Sequence, residues 1–420
     1  MSDLLAIHGG QPVTNSDAAR FQWPRITKET EKVVLDQLHD TISIYDNSGI
    51  FGEFEEKFAN YHDRSYGLLS NSGTSSILAM YESIGLRAGD EVLCPVYTFH
   101  ATVSPMMNIG CVPVFCDTDT NGNISLNQII KHRSPATKAV IVTHMWGMPV
   151  RDIEAIAKYC KDEELYLLED CSHAHGARIN NKKVGSFGDV AAWSLQGQKI
   201  ITGGEGGILL TDNKDIFNRA LLHGHYNKRP QRQIEKIDPM YDYYLTGFGL
   251  KLRAHPIAIA IANQQFSQLD DFLDTKAQYA DIFTEVISSY DFLLPADTND
   301  SIAPSWYAYC FQFRSENAFG ITREQFVDAL HAEGLCEFDI PGSTGLLNDL
   351  PLFTTPNDVL PRLYSEPLPH QAPFPSATKF YNTLIKLPVW SYEDEYSIVM
   401  SYAEGLRKVC DYIVERQSLD

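Results

Sequence analysis

The sequence predicts an α/β protein built on a mostly parallel sheet, and three observations carry that prediction. Between residues 55 and 215, short apolar runs alternate with amphipathic stretches, the pattern of a βαβ succession. Each run ends in polar or glycine residues, so the carboxyl ends of the strands offer the crevice in which open α/β sheets bind ligands. The chain of 420 residues exceeds the length at which one core keeps growing, so a second lobe is expected.

In chain order the candidate strands are YGLLS (66–70), EVLCPV (91–96), VPVFCD (112–117), KAVIVTH (138–144), LYLLED (165–170), VAAWSL (190–195) and GILLTD (207–212). Helical periodicity predicts helices over 53–61, 75–84 and 150–160. The texture changes near residue 256. PIAIAIANQQFSQLDDFLDTKAQYADIFTEVI reads as one long helix or a helix pair, and beyond it short strands alternate with loops that are Pro-rich over 351–375. The expected division is a large domain over 1–255 with a seven-stranded, mostly parallel sheet, and a smaller C-terminal α/β domain over 256–420. No repeat of solenoid period is visible.

Composition narrows the function. The chain is 44% hydrophobic and 21% charged, with 11% aromatic residues, the balance of a globular enzyme and too apolar for disorder. A formal net charge of −20, with no Lys/Arg-rich run to offset it, repels a nucleic-acid backbone. The N-terminal MSDLLAIHGGQPV lacks the basic and apolar regions of a signal peptide, and no apolar stretch approaches the ~20 residues of a membrane span. A cytoplasmic protein is expected. The eight cysteines are scattered without a CxxC pair or a paired His spacing, which argues against zinc and against a disulfide framework.

Four stretches at strand ends hold polar residues that packing alone does not call for. In SNSGTSS (70–76) a strand gives way to a helix start, and Gly73, Thr74 and Ser75 would let a phosphate approach the free N–H groups and the helix dipole. The same residues also fit a plain N-cap. In LLEDCSHAHG (167–176), Asp170 ends a buried strand and needs a cationic or N–H partner, such as a protonated pyridine nitrogen. A capping Asp is the simpler alternative, and His173 and His175 fit either scaffold or catalysis. In PVYTFHAT (95–102), Phe99 could cover one face of a flat ring or pack in the core. In WSLQGQKIITGGEGG (193–207), Lys199 stands between an apolar strand and a glycine-rich turn, where desolvation would lower its pKa and make it a usable nucleophile; a lysine reaching to solvent is the plain reading. Together, a phosphate cradle, a buried acid, an aromatic and a strand-end lysine match the needs of pyridoxal 5'-phosphate.

These motifs resemble those of the sugar aminotransferases of the DegT/DnrJ/StrS family, which have the aspartate-aminotransferase fold, fold type I of the pyridoxal phosphate enzymes. The resemblance is specific to about residue 270 through NSGTSS, EVLCPVYTFHAT, EDCSHAHGA and SLQGQKIITGGEGG, and looser to FYNTLIKLPVWSYEDE near the end. It implies that Lys199 carries the cofactor as a Schiff base and that Asp170 faces the pyridine nitrogen. It also implies that His173 lies near the ring hydroxyl, that Ser194 with Gly73, Thr74 and Ser75 holds the phosphate, and that Phe99 stacks on the ring. LAIHGGQPV and FQWP resemble the branch of glutamine:scyllo-inosose aminotransferases and aminohydroxybenzoate synthase. The implied reaction moves an amino group from glutamate or glutamine to a keto sugar or cyclitol, in a homodimer. The stretch GFGLKLR departs from the family pattern. Gly249 stands where a partner subunit's Asn usually reaches the phosphate, and Lys251 or Arg253 could replace it. Family dehydratases carry histidine in place of the lysine, so Lys199 argues against that class, and the intact set argues against a regulatory, low-turnover member. Hydroxyl-reading contacts are expected from 43–52 and 223–229.

Overall fold

The computed structural model describes residues 4–15, 20–371 and 373–416. All seven predicted strands form, at Tyr66–Ser70 (β1), Glu91–Pro95 (β2), Val112–Cys116 (β3), Thr137–Thr143 (β4), Tyr166–Asp170 (β5), Val190–Ser194 (β6) and Gly207–Thr211 (β7). They make one sheet in the order β1-β7-β6-β5-β4-β2-β3. Only β7 runs antiparallel to its neighbours; the pairs from β6 to β3 are parallel. Side chains alternate between two buried faces. Val140, Val142 and Leu167 join one apolar cluster while Ala139, Ile141 and Leu168 join another, which is why these strands read as continuous apolar runs.

Register brings the site together. Ser70 pairs with Gly207, Gly207 with Ser194, Asp170 with Ala192 and Thr143 with Asp170. The ends of β1, β4, β5 and β6 therefore lie side by side at one edge, with the start of β7 between β1 and β6.

Helices Gly49–Tyr61 (α1) and Gly73–Ser83 (α2) begin somewhat earlier than the periodicity predicts. The third predicted helix forms later than expected, at Ile153–Asp162 (α3). The stretch after 256 is a helix pair, Pro256–Phe266 (α4) and Leu269–Ile287 (α5). Pro256 supplies a ready-made first turn and the His255 side chain accepts from the Ile257 N–H at 3.3 Å. Beyond it, Leu293–Leu294 (β8), Ala308–Phe313 (β9) and Leu384–Pro388 (β10) form a three-stranded antiparallel sheet. Residues of α5 and of the last helix, Tyr396–Arg416 (α6), pack with this sheet and with one face of the large one in a single apolar cluster. A short bridge from Gly345–Leu346 to Tyr97–Thr98 brings the C-terminal part to the sheet edge where the strands end.

Candidate active site

At that edge lies a cavity of about 940 Å³. Its wall includes Gly73, Thr74, Phe99, Asp170, His173, Ser194 and Lys199, seven of the eight residues the sequence singles out. Ser75 is the one left out. Ser72 takes the N-cap of α2, accepting from the Ser75 N–H at 3.1 Å, while the Ser75 hydroxyl turns to Asn71 Oδ1 at 2.7 Å. This leaves the first-turn N–H groups of Gly73 and Thr74, which have no helical acceptor, at the cavity. Gly73 is required by closeness, since a Cβ there would sit 2.6 Å from Ser194 Cβ.

Lys199 is held by its neighbours' main chain. Its N–H donates to Gln196 O at 2.8 Å, its carbonyl accepts from Trp23 Nε1 at 2.7 Å, and Ile200 and Ile201 are buried. Thr202 closes the loop: its N–H reaches Gln265 Oε1 at 2.9 Å and its hydroxyl reaches Leu195 O at 3.0 Å. Gly204 then turns through φ +86°, a conformation that favours glycine. The amine itself has no hydrogen-bond acceptor among the described residues. It lies 4.9 Å from the centre of the Tyr307 ring, and burial, partly opposed by the charge of Asp170, brings its pKa down to about 8.

Asp170 is 3% exposed. Thr102 Oγ1 donates to its Oδ2 at 2.7 Å and the Ser172 N–H to its Oδ1 at 3.0 Å. Thr143 and Thr98 back Thr102 in a chain of hydroxyls. No ion pair reaches Asp170 among the described residues, so a buried carboxylate is left needing a positive partner in the cavity. Its neighbour Glu169 is fully engaged on the other face: His144 Nε2 lies at 3.1 Å, and the N–H groups of Gly185, Phe187 and Gly188 donate to it. His144, Glu169 and Cys171 offer ligand atoms within 4.8 Å of one another, but two of the three residues are already engaged in these bonds.

His173 stacks flat on Tyr307, with ring centres 4.1 Å apart and 4° between planes. Its Nδ1 accepts from the Trp146 N–H at 3.3 Å, and burial, helped by the Lys199 charge, holds its pKa well below the usual range. The ring is neutral with its proton on Nε2. His175 sits deeper, beside Phe58, where burial lowers its pKa to about 3. Phe99 is 39% exposed at the cavity mouth. Neither 43–52 nor 223–229 lines the cavity; Arg229 is instead buried in an ion pair with Glu55 at 2.7 Å, and His223 and His225 are buried. Arg253 donates to Ile44 O at 3.0 Å. Sequence reasoning missed Thr102, Tyr307 and Lys276, all at the cavity. Thr102 ends a stretch already singled out, whereas Tyr307 and Lys276 carry no local signal.

The DegT/DnrJ/EryC1/StrS aminotransferase family model matches residues 26–398. The chain belongs to this family. It is therefore an aminotransferase-family enzyme, and the fold its sequence predicts is the fold of its relatives. It is 27% identical to the L-glutamine:scyllo-inosose aminotransferase of Streptomyces griseus over 99% of each chain. Among solved structures, the aminotransferase from Psychrobacter cryohalolentis matches with a TM-score of 0.82 and 23% identity, over 94% of this chain and 99% of that one. The GDP-4-keto-6-deoxy-D-mannose-3-dehydratase of E. coli matches with a TM-score of 0.75 and 21% identity, over 91% and 97%. No helix among the described residues is long and apolar enough to cross a membrane.

Proposed function

We propose that the enzyme uses pyridoxal 5'-phosphate to move an amino group from glutamine or glutamate to a ketone on a sugar or cyclitol. The observation that carries this reading is the shared cavity of Lys199, Asp170 and the α2 start: among the described residues, the amine has no acceptor, the buried carboxylate no cation, and the backbone donors no partner. Each lacks what the cofactor would bring. The phosphate would lie on the N–H groups of Gly73 and Thr74 with the Ser194 hydroxyl. The pyridine nitrogen would face Asp170, and His173 the ring hydroxyl, with Phe99 against the ring. When bound, the cofactor supplies the electron sink that makes the substrate α-proton removable.

The chain's own groups do the rest. Asp170, fixed by Thr102 and Ser172, keeps a proton on the nitrogen it faces through a charge-assisted hydrogen bond. Lys199 Nζ, with its pKa near 8, takes up and returns the substrate proton near neutral pH, so one base serves both halves of a ping-pong reaction. A lysine at 199, not histidine, favours transfer over the dehydration named for the E. coli relative. The name of the Streptomyces griseus relative favours glutamine as donor and a cyclitol ketone as acceptor.

We also propose a cytoplasmic homodimer, with a division of the chain at 255/256. Leu245, Phe248 and Leu250 are exposed apolar side chains in the stretch around Gly249, a surface suited to a second copy. Sedimentation showing an active monomer would remove the dimer from this account. The reaction is tested by adding glutamine or glutamate alone to the purified holoenzyme, following conversion of the cofactor to its amine form by absorbance, then supplying keto sugars and keto cyclitols. Conversion followed by reversal with a ketone is expected. Dehydration of a sugar without conversion by either donor contradicts the reading.

A further inference from the structure

A second lysine reaches the same cavity by another route. Lys276, on α5, is 3% exposed, and its side chain enters no ion pair among the described residues. Its Nζ donates to Trp306 O at 3.3 Å and to Val389 O. A buried ammonium held only by carbonyls is costly, so the geometry it enforces matters. Trp306 is in the left-handed region at φ +51°, a strained state for a bulky residue and one that clusters at functional sites. The next residue is Tyr307, whose ring lies flat on His173 and 4.9 Å from Lys199 Nζ. The preceding residue, Ser305, is tied as well: its N–H donates to Gly147 O at 3.0 Å and its hydroxyl to His173 O at 2.9 Å. Residues 305–307 thus form a strap across the site, fastened by Ser305 on one side and Lys276 on the other.

We infer that Lys276 is a positioning residue: by holding the Trp306 carbonyl it keeps the Tyr307 ring over the Lys199 amine and against His173. The strap restricts where the amine travels and shields it from water, so the proton it carries goes to one place. That Lys199 is the reactive lysine rests on the proposed function; that the strap covers it is a separate claim, testable in protein stripped of cofactor.

The test is a double-substitution cycle with two readouts. In cofactor-free protein, acetylation of Lys199 is followed by peptide mass spectrometry. Lys276→Met and Tyr307→Leu are each expected to speed it several-fold, while Tyr307→Phe, which keeps the ring, and Lys276→Arg, which keeps the donors, stay within about twofold of the parent. In the holoenzyme, Lys276→Met is expected to lower kcat by about 10- to 100-fold, the scale of a small misplacement, with a smaller change in the donor KM. In the Tyr307→Leu background it should add almost nothing, because residues that act through one another are not additive. Multiplying kcat losses in the double variant, with Lys199 acetylation unchanged in both single ones, overturn the inference. If Lys276→Met does not fold, Tyr307→Leu still decides: parent-rate acetylation of Lys199 there also overturns it. Failure of both donors to convert the cofactor leaves the acetylation result standing and counts against the proposed function alone.

Discussion

Lys199 and Lys276 reach the same cavity, and both have amines whose pKa is pulled far below the ordinary lysine range, to about 8 and about 7. Burial is the main cause in each case, opposed by Asp170 for Lys199 and by Glu395 for Lys276. Judged by pKa alone, Lys276 is the better nucleophile. Hydrogen bonding reverses the order. Lys276 reaches from α5 to two carbonyls outside any helix, those of Trp306 and Val389, whereas the Lys199 loop is pinned through its backbone and its amine has no acceptor among the described residues. A depressed pKa marks a buried amine; an unengaged amine on a fixed backbone marks a reactive one.

The comparison breaks most severely at Lys199 itself. Lys199→Ala is expected to reduce turnover by ~10³-fold or more, the scale of a lost general base, while the protein still binds cofactor through the α2 start, as equilibrium dialysis would record. Asp170→Asn removes one charge at nearly constant shape. Losing a charge-assisted hydrogen bond of about 1.5–3 kcal/mol predicts a fall in kcat of roughly 10- to 100-fold, and an unchanged rate would reduce Asp170 to scaffold. Gly73→Ala tests the cradle rather than the amine. Its Cβ meets Ser194 Cβ at 2.6 Å, an overpacking that costs about 1–3 kcal/mol in a thermal melt and weakens cofactor binding.

The last effect is in stability against pH. Lys276 has a folded pKa of about 7, below its unfolded value of about 10.4. The unfolded chain therefore binds more protons between these limits, and stability from this group rises with pH across that window. Lys276→Met should flatten the rise, and denaturant titrations at pH 7 and pH 9.5 would measure it.

The sheet was legible because both faces of each strand are buried, which turns strands into apolar runs, and because residues at their carboxyl ends are adjacent in sequence to those runs. Asp170, Lys199 and Gly73 stand out in the sequence for that reason, and the structure brings them to one cavity. Several serines and a threonine crowd that helix start, and only the backbone decides that Ser72 takes the cap while the Ser75 hydroxyl turns to Asn71. Phe99, the aromatic the sequence offers for the cofactor ring, lines the cavity, whereas Tyr307, the ring beside Lys199, is delivered by the C-terminal part of the chain through contacts that leave no local pattern. The sequence left one long helix or a helix pair open after 256, and the structure shows the pair; the strap at 305–307 leaves no local pattern because it is fastened by distant segments.

The most direct test of the account is where the cofactor attaches. Borohydride reduction of the holoenzyme, followed by proteolysis and mass spectrometry, is expected to place the reduced cofactor on the peptide containing Lys199 and none on the peptide containing Lys276. Attachment at Lys276, or at any lysine other than Lys199, contradicts it.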